Sequence, residues 1–177
     1  AVNWARVMGF SWPPACAEAA LGADITLYHE ANEWKEKGLM TTSCCPSFVK
    51  YIEKYFPDMV NLISHSVSPM VETAKLIKKV DSTAKTVFIG PCVSKKGEYK
   101  LDKAKDWIDC VISFEELQAF LDARDINVTV LGETALDNAS FYGRIFAKSG
   151  GIAQGIADVA KAMGIEGVKP VKMDGLE

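Results

Sequence analysis

The stretch CVISFEELQAFL, residues 110–121, holds a strand and a helix joined by a single residue. Cys110-Val111-Ile112 is a short strand by its β-branched run. Ser113 followed three positions later by Glu116 is a capping box, which opens a helix through Leu121. The same alternation recurs upstream. Thr86–Ile89 is a second buried strand and ends at Gly90-Pro91-Cys92. Ser68-Pro69 supplies an N-cap and a first-turn proline, and Met70, Val71, Ala74 and Ile77 line the helix that follows. Pro46 opens another helix, with Phe48, Val49, Ile52, Tyr55 and Phe56 on one face, ending before Pro57. Short strands are predicted at Leu39–Ser43 and Val60–Ser64. Further helices are predicted at Ala1–Met8, broken by Trp12-Pro13-Pro14, at Asp24–Gly38, and after Gly150-Gly151, where Ile152, Ile156, Val159 and Met163 form one face. Such alternation specifies an α/β fold, a mostly parallel sheet with flanking helices. Ligands in such folds sit beyond the carboxyl ends of the strands, where Cys44-Cys45 and Cys92 both fall.

The 177 residues are 49% hydrophobic and 24% charged with a net charge of −3, a globular composition. No basic stripe points to nucleic acid, and no run of about 20 apolar residues points to a membrane span. The five cysteines, Cys16, Cys44, Cys45, Cys92 and Cys110, are an odd number without the density of a disulfide framework. A reducing, cytoplasmic setting is the expectation. The opening AVNWARVMGF and the close KPVKMDGLE read as a domain cut from a longer polypeptide.

Cys44 and Cys45 stand where a helix begins, a position that favours a thiolate. Two small buried hydrophobes would be the plainer reading. Cys92 precedes Lys95, Lys96 and Glu98, placing soft sulfur beside positive charge, although a solvated loop has the same composition. Glu30 and Glu33 are i,i+3 on one predicted helix and share a face. With the hydroxyl of Ser64 and a thiol they could form a succession that passes protons, whereas neighbouring glutamates on a helix are commonly just solvated. His29 and His65 lack a metal-ligand spacing, and Cys16 and Cys110 read as structural.

TSCCPSFVKYIEKYFP at 42–57 resembles the TSCCPxW motif of the iron-only (FeFe) hydrogenases, and GPCVSKKGE at 90–98 resembles their MPCxxKxxE motif. DITLYHEANE, ISHSVSPM, DWIDCVISFEELQAFL and IFAKSGGIAQGI are similar to further family segments in the same order. The resemblance covers nearly all of residues 1–177 and implies a partial catalytic domain. Its cofactor would be the H-cluster, a 4Fe-4S cubane joined to a diiron subcluster. It implies Cys45 and Cys92 as two cubane ligands and Cys44 as the thiol that carries protons to the diiron unit. Glu30, Ser64 and Glu33 would be the relay towards the surface. Lys95, supported by Glu98, would hydrogen-bond a cyanide ligand. Pro69, Met70, Gly90, Pro91 and Phe146 would surround the diiron unit.

Several positions depart from the family pattern. Gly90 replaces a usual Met, Met70 a usual Gln, and Phe48 the motif's Trp. These substitutions are similar to those of sensory branches. The motif carrying two further cubane cysteines does not occur in the sequence, and the fragment by itself is expected to be inactive and without a stable cluster. The implied parent activity is reversible hydrogen oxidation with a ferredoxin-like electron carrier. The alternatives are a hydrogen- or redox-sensing regulator with little turnover, and a zinc or redox module using Cys44, Cys45 and Cys92. Unpaired sheet edges would favour self-association.

Overall fold

The computed structural model describes residues 18–132 and 139–171. The helix predicted at Ala1–Met8 and Cys16 lie outside these. The described chain falls into two compact units, one of Ala19–Glu72 with residues 139–171, the other of Glu18 with residues 73–132.

The first unit is built on helix α1, Ala19–Lys37. It begins five residues before Asp24, the predicted N-cap. Ala19, Ala20 and Leu21 are strong helix formers that carry the helix upstream. The Asp24 carboxylate is used elsewhere: it accepts the Ser140 N–H at 2.8 Å and the Ser140 hydroxyl. Ser140 in turn caps the short helix α6, Phe141–Ile145, accepting from the N–H groups of Tyr142 and Gly143. At its other end α1 stops as predicted, with Gly38 at φ +70° and its N–H on the Trp34 carbonyl.

Helix α7, Gly151–Ala162, packs its predicted face on α1. Leu27, Ala31, Ile156 and Ala160 form the buried cluster, with Phe146, Ile152, Val159 and Met163 against it. Gly155 lets the two helices meet: a Cβ there would stand 2.9 Å from a Leu27 methyl.

Helix α2, Pro46–Tyr55, has Pro46 at its first turn and Cys45 as its N-cap residue. Of its predicted apolar face only Ile52 is buried, and Tyr55 and Phe56 are exposed. The strand expected at Val60–Ser64 is instead a 3-10 helix, Pro57–Leu62. Pro57 presets φ for the first turn, and of the residues in that segment only Val60 is β-branched. The strand expected at Leu39–Ser43 shrinks to one parallel bridge, Thr41 to Ile63. Thr41 N–H donates to the Leu62 carbonyl and Ser64 N–H to the Thr41 carbonyl, both at 2.8 Å. Helix α3, Pro69–Val80, follows as predicted, with Met70, Val71 and Ala74 buried.

The second unit carries the sheet. Strands β1, Val87–Ile89, and β2, Cys110–Ile112, pair in parallel with Phe88 opposite Val111. The α/β prediction therefore holds, with a sheet of two strands among the described residues. Asp109 fixes the register. Its carboxylate accepts the Thr86 N–H at 2.8 Å and meets Lys85 and Lys78 at 3.1 and 3.3 Å. These contacts, the Thr86 N–H foremost, hold its pKa down at about 2. Helix α4, Lys95–Glu98, was not expected. Helix α5, Phe114–Asp122, starts with the predicted capping box, both bonds made. Two further unpredicted pieces are α6 and a 3-10 turn at Val128–Val130.

Candidate functional site

Two groups of predicted site residues take shape, one in each unit. In the first, α1 aims Glu30 inward and Glu33 towards the rim. Glu30 is fully buried, and neither carboxyl oxygen completes a hydrogen bond. Burial lifts its pKa from 4.5 to about 7, the Ser43 N–H and Ser64 hydroxyl pull it down, and the Glu33 charge adds to the rise. Near neutral pH such a carboxyl is both a proton donor and an acceptor.

Glu33 is the opposite case. Its partial burial raises the pKa, but Lys37, Ser64 and the His65 N–H more than reverse this and leave it lowered. The Ser64 hydroxyl donates to its Oε2 at 2.7 Å, the Lys37 ammonium sits 2.8 Å from Oε1, and His65 N–H reaches both oxygens at 3.0 Å. His65 Nδ1 lies 3.1 Å from Oε1. Ser64 Oγ also accepts the Ser66 N–H at 3.0 Å, which leaves it one lone pair. The three members of the predicted relay, Glu30, Ser64 and Glu33, are thus brought together. Lys37 was missed, although its i,i+4 spacing from Glu33 was readable.

On the loop that follows Thr41, Cys44 is half-buried with its sulfur 3.8 Å from the Thr42 hydroxyl, and Cys45 is exposed. The Ser43 hydroxyl anchors this loop on the Ser66 carbonyl. Pro69 opens α3 and Met70 beside it is buried. Phe146 ends α6 and packs on the α1–α7 core.

In the second unit β1 runs into Gly90, which is buried. A Cβ there would lie 2.7 Å from the Phe88 ring. Pro91 and Cys92 are exposed. The Ser94 hydroxyl, 2.9 Å from the Cys92 sulfur, lowers the thiol's pKa, assisted by nearby N–H groups and Lys95. Lys95 Nζ pairs with Glu98 Oε2 at 2.6 Å. Glu98 is 1% exposed and its other oxygen, Oε1, has no partner. Ser94 was not singled out in the sequence.

The model of the iron-only hydrogenase large subunit, C-terminal domain, matches residues 2–176. The chain belongs to this family. Among curated relatives of the hydrogenase domain, Iron hydrogenase 1 of Clostridium pasteurianum is 32% identical over 163 residues, 79% of this chain and 28% of its own length. The cytosolic Fe-S cluster assembly factor NAR1 of Kluyveromyces lactis is 31% identical over 107 residues, 60% of this chain and 21% of its own. An apo FeFe-hydrogenase HydA1 variant from Chlamydomonas reinhardtii superposes with a TM-score of 0.72 at 26% identity, over 90% of this chain and 45% of that one. The hydrogenase-family chain thus spans less than half the length of these relatives.

Family membership implies iron–sulfur chemistry, and the residues fit it in part. Cys45 and Cys92 are exposed thiols at loop positions, and the orphaned Glu98 oxygen beside Lys95 marks a polar wall with spare bonding capacity. A cubane takes four thiolates. Among the described residues no three His, Cys, Asp or Glu side chains form a metal-binding group. Nor is any described helix long and apolar enough to cross a membrane.

Proposed function

We propose that this chain is the proton-handling part of an iron-only hydrogenase domain, whose parent interconverts hydrogen with protons and electrons from a ferredoxin-like carrier. One observation supports this above the others: Glu30 is buried and poised at about 7, beside a serine hydroxyl already bonded to Glu33 at the rim. A buried carboxyl without a full partner is costly, and proton transfer gives it a use.

In this reading Cys45 and Cys92 would each offer a thiolate to a cubane. Lys95, held by Glu98, would offer a hydrogen bond to a diiron subcluster. When bound, the cluster would supply the electrons and the centre at which protons and hydrogen are exchanged. Cys44 forms the inner end of the path. Glu30 takes or gives a proton without changing place, because its pKa matches the neutral range. Ser64 receives a proton on its free lone pair while its own passes on. Glu33, held by Lys37 and His65, keeps that hydroxyl aligned.

A second reading is favoured by the assembly-factor relatives and by buried Met70 where catalytic members carry a polar Gln: cluster handling or sensing with little turnover. Hydrogen evolution from reduced viologen by the full-length, cofactor-loaded protein separates the two. Rapid evolution, reduced at least about 100-fold in Cys44→Ala and Glu30→Gln, is the expected result. An intact cluster spectrum without turnover would transfer the assignment to the second reading.

A further inference from the structure

We propose that His65 is the proton port of this path, the group through which Glu33, and behind it Ser64 and Glu30, exchanges protons with water. The proposal rests on the relay reading and adds its solvent end. His65 has an 81% exposed side chain, yet its Nδ1 lies 3.1 Å from Glu33 Oε1. Its own backbone N–H bonds both oxygens of the same carboxylate. The imidazole therefore cannot drift far from Glu33, while its Nε2 edge is free to meet water.

The charged group that His65 meets is Glu33, whose Oε1 it shares with Lys37. The Lys37 ammonium is bound at once by Glu33 Oε1 and by the Ile63 carbonyl at 2.9 Å, and so serves as a fixed counter-ion. An imidazole has two ring nitrogens, so it can take a proton at one edge and give one at the other. Glu33 is held ionised and is a brief stop for a proton, so a donor beside it governs how often it is loaded.

The step balances without any redox partner. A hydronium ion gives its proton to Nε2 and leaves as water. The Nδ1–H bond then breaks as a Glu33 Oε1–H bond forms, leaving a neutral imidazole with its proton on Nε2. Rotation of the Glu33 carboxyl turns that proton towards Ser64, whose hydroxyl swings from Glu33 to Glu30. Ser64 Oγ then accepts the Glu33 proton on a lone pair as its own proton passes to Glu30. The outward direction is the reverse.

The test is the rate at which Glu30 takes up a proton in the full-length protein, followed by time-resolved infrared after a rapid pH drop across its midpoint of about 7. Glu30→Gln identifies its carboxyl band. In His65→Gln, which keeps the backbone N–H on Glu33, uptake should slow roughly tenfold, short of the hundredfold a positioned acid–base group can supply because water retains some access. Imidazole in the buffer should restore the rate, and the final amplitude should match wild type. Ser64→Ala should be slow with or without imidazole. Wild-type rates in His65→Gln, or slowing that imidazole does not relieve, would overturn the port. Wild-type rates in Ser64→Ala would overturn the relay, and the port with it. Hydrogen turnover is not needed for any of these readouts, so a parent that evolves no hydrogen would overturn the hydrogenase reading while leaving the port standing or falling on its own result.

Discussion

At the scale of the residue, Glu30 sets a cost that changes with pH. Its carboxyl has a higher pKa in the folded chain, about 7, than the 4.5 of an unperturbed glutamate. The folded state therefore holds the proton more tightly. The stability this gives is complete below 4.5 and is lost as pH rises to and through 7. Glu30→Gln removes the titration, so relative to wild type the variant should gain on the order of 3 kcal/mol across that window. Urea unfolding at a series of pH values measures it, and parallel profiles for the two proteins would refute the buried titration. Glu33 has the opposite sign: its lowered pKa contributes stability above its ordinary value and loses it in acid. The sequence placed both glutamates on one helical face through their i,i+3 spacing. It could not say that one is sealed in and the other sits at the rim, because three positions along a helix span roughly 300° of rotation and a few tens of degrees decide which side of the packed stripe a carboxyl meets. Lys37, one turn further along the same helix, was readable from its spacing, whereas only folding brings His65 to Glu33.

At the scale of the element, small residues mark the places where helices touch. Gly143 in α6 has no room for a side chain: a Cβ would stand 2.2 Å from the Ala20 carbonyl oxygen and 2.7 Å from Asp24 Oδ1. Helix propensity alone would make alanine the better residue here by about 1 kcal/mol. Contact with backbone reverses the sign. Gly143→Ala should lower stability by roughly 1–3 kcal/mol, readable as a shifted urea midpoint at unchanged slope; a stabilised variant would show that α6 does not seat on α1 this closely. Local chemistry read the capped elements well. Ser113 with Glu116, Gly38 and Pro46 each act within one turn, so sequence and structure agree at all three. The start of α1 and the 57–64 segment went differently. Asp24 is taken by Ser140, 116 positions away, and Pro57 opens a 3-10 helix where a strand was expected. The first outcome is not set by neighbours; the second follows from a local signal, the proline.

At the scale of the whole molecule, the α/β class was legible because strand and helix alternate, and the family was legible through two cysteine motifs. The division into two units was not, since no run of linker composition marks it. The sheet is also smaller than the pattern suggested. Three residues per strand, with no third strand among the described residues, is marginal on its own. Edges that remain unpaired invite pairing with another copy, and Tyr55, Phe56, Met59 and Val60 are exposed besides. The 177-residue chain should therefore associate as its concentration rises, which light scattering detects. A constant monomer mass over the accessible range would count against it.

The lone bridge between Thr41 and Ile63 has a consequence for how such a chain can vary. Its two backbone bonds tie the thiol-bearing loop, three residues downstream, to the serine immediately after Ile63. It works as a ruler, fixing sulfur and hydroxyl by counted residues, with the Ser43 hydroxyl as a second tie. The spacing is therefore constrained: a single insertion between Thr41 and Cys44 would displace the thiol and, with it, the Ser43 anchor on Ser66. Over evolutionary time this corner should stay constant in length.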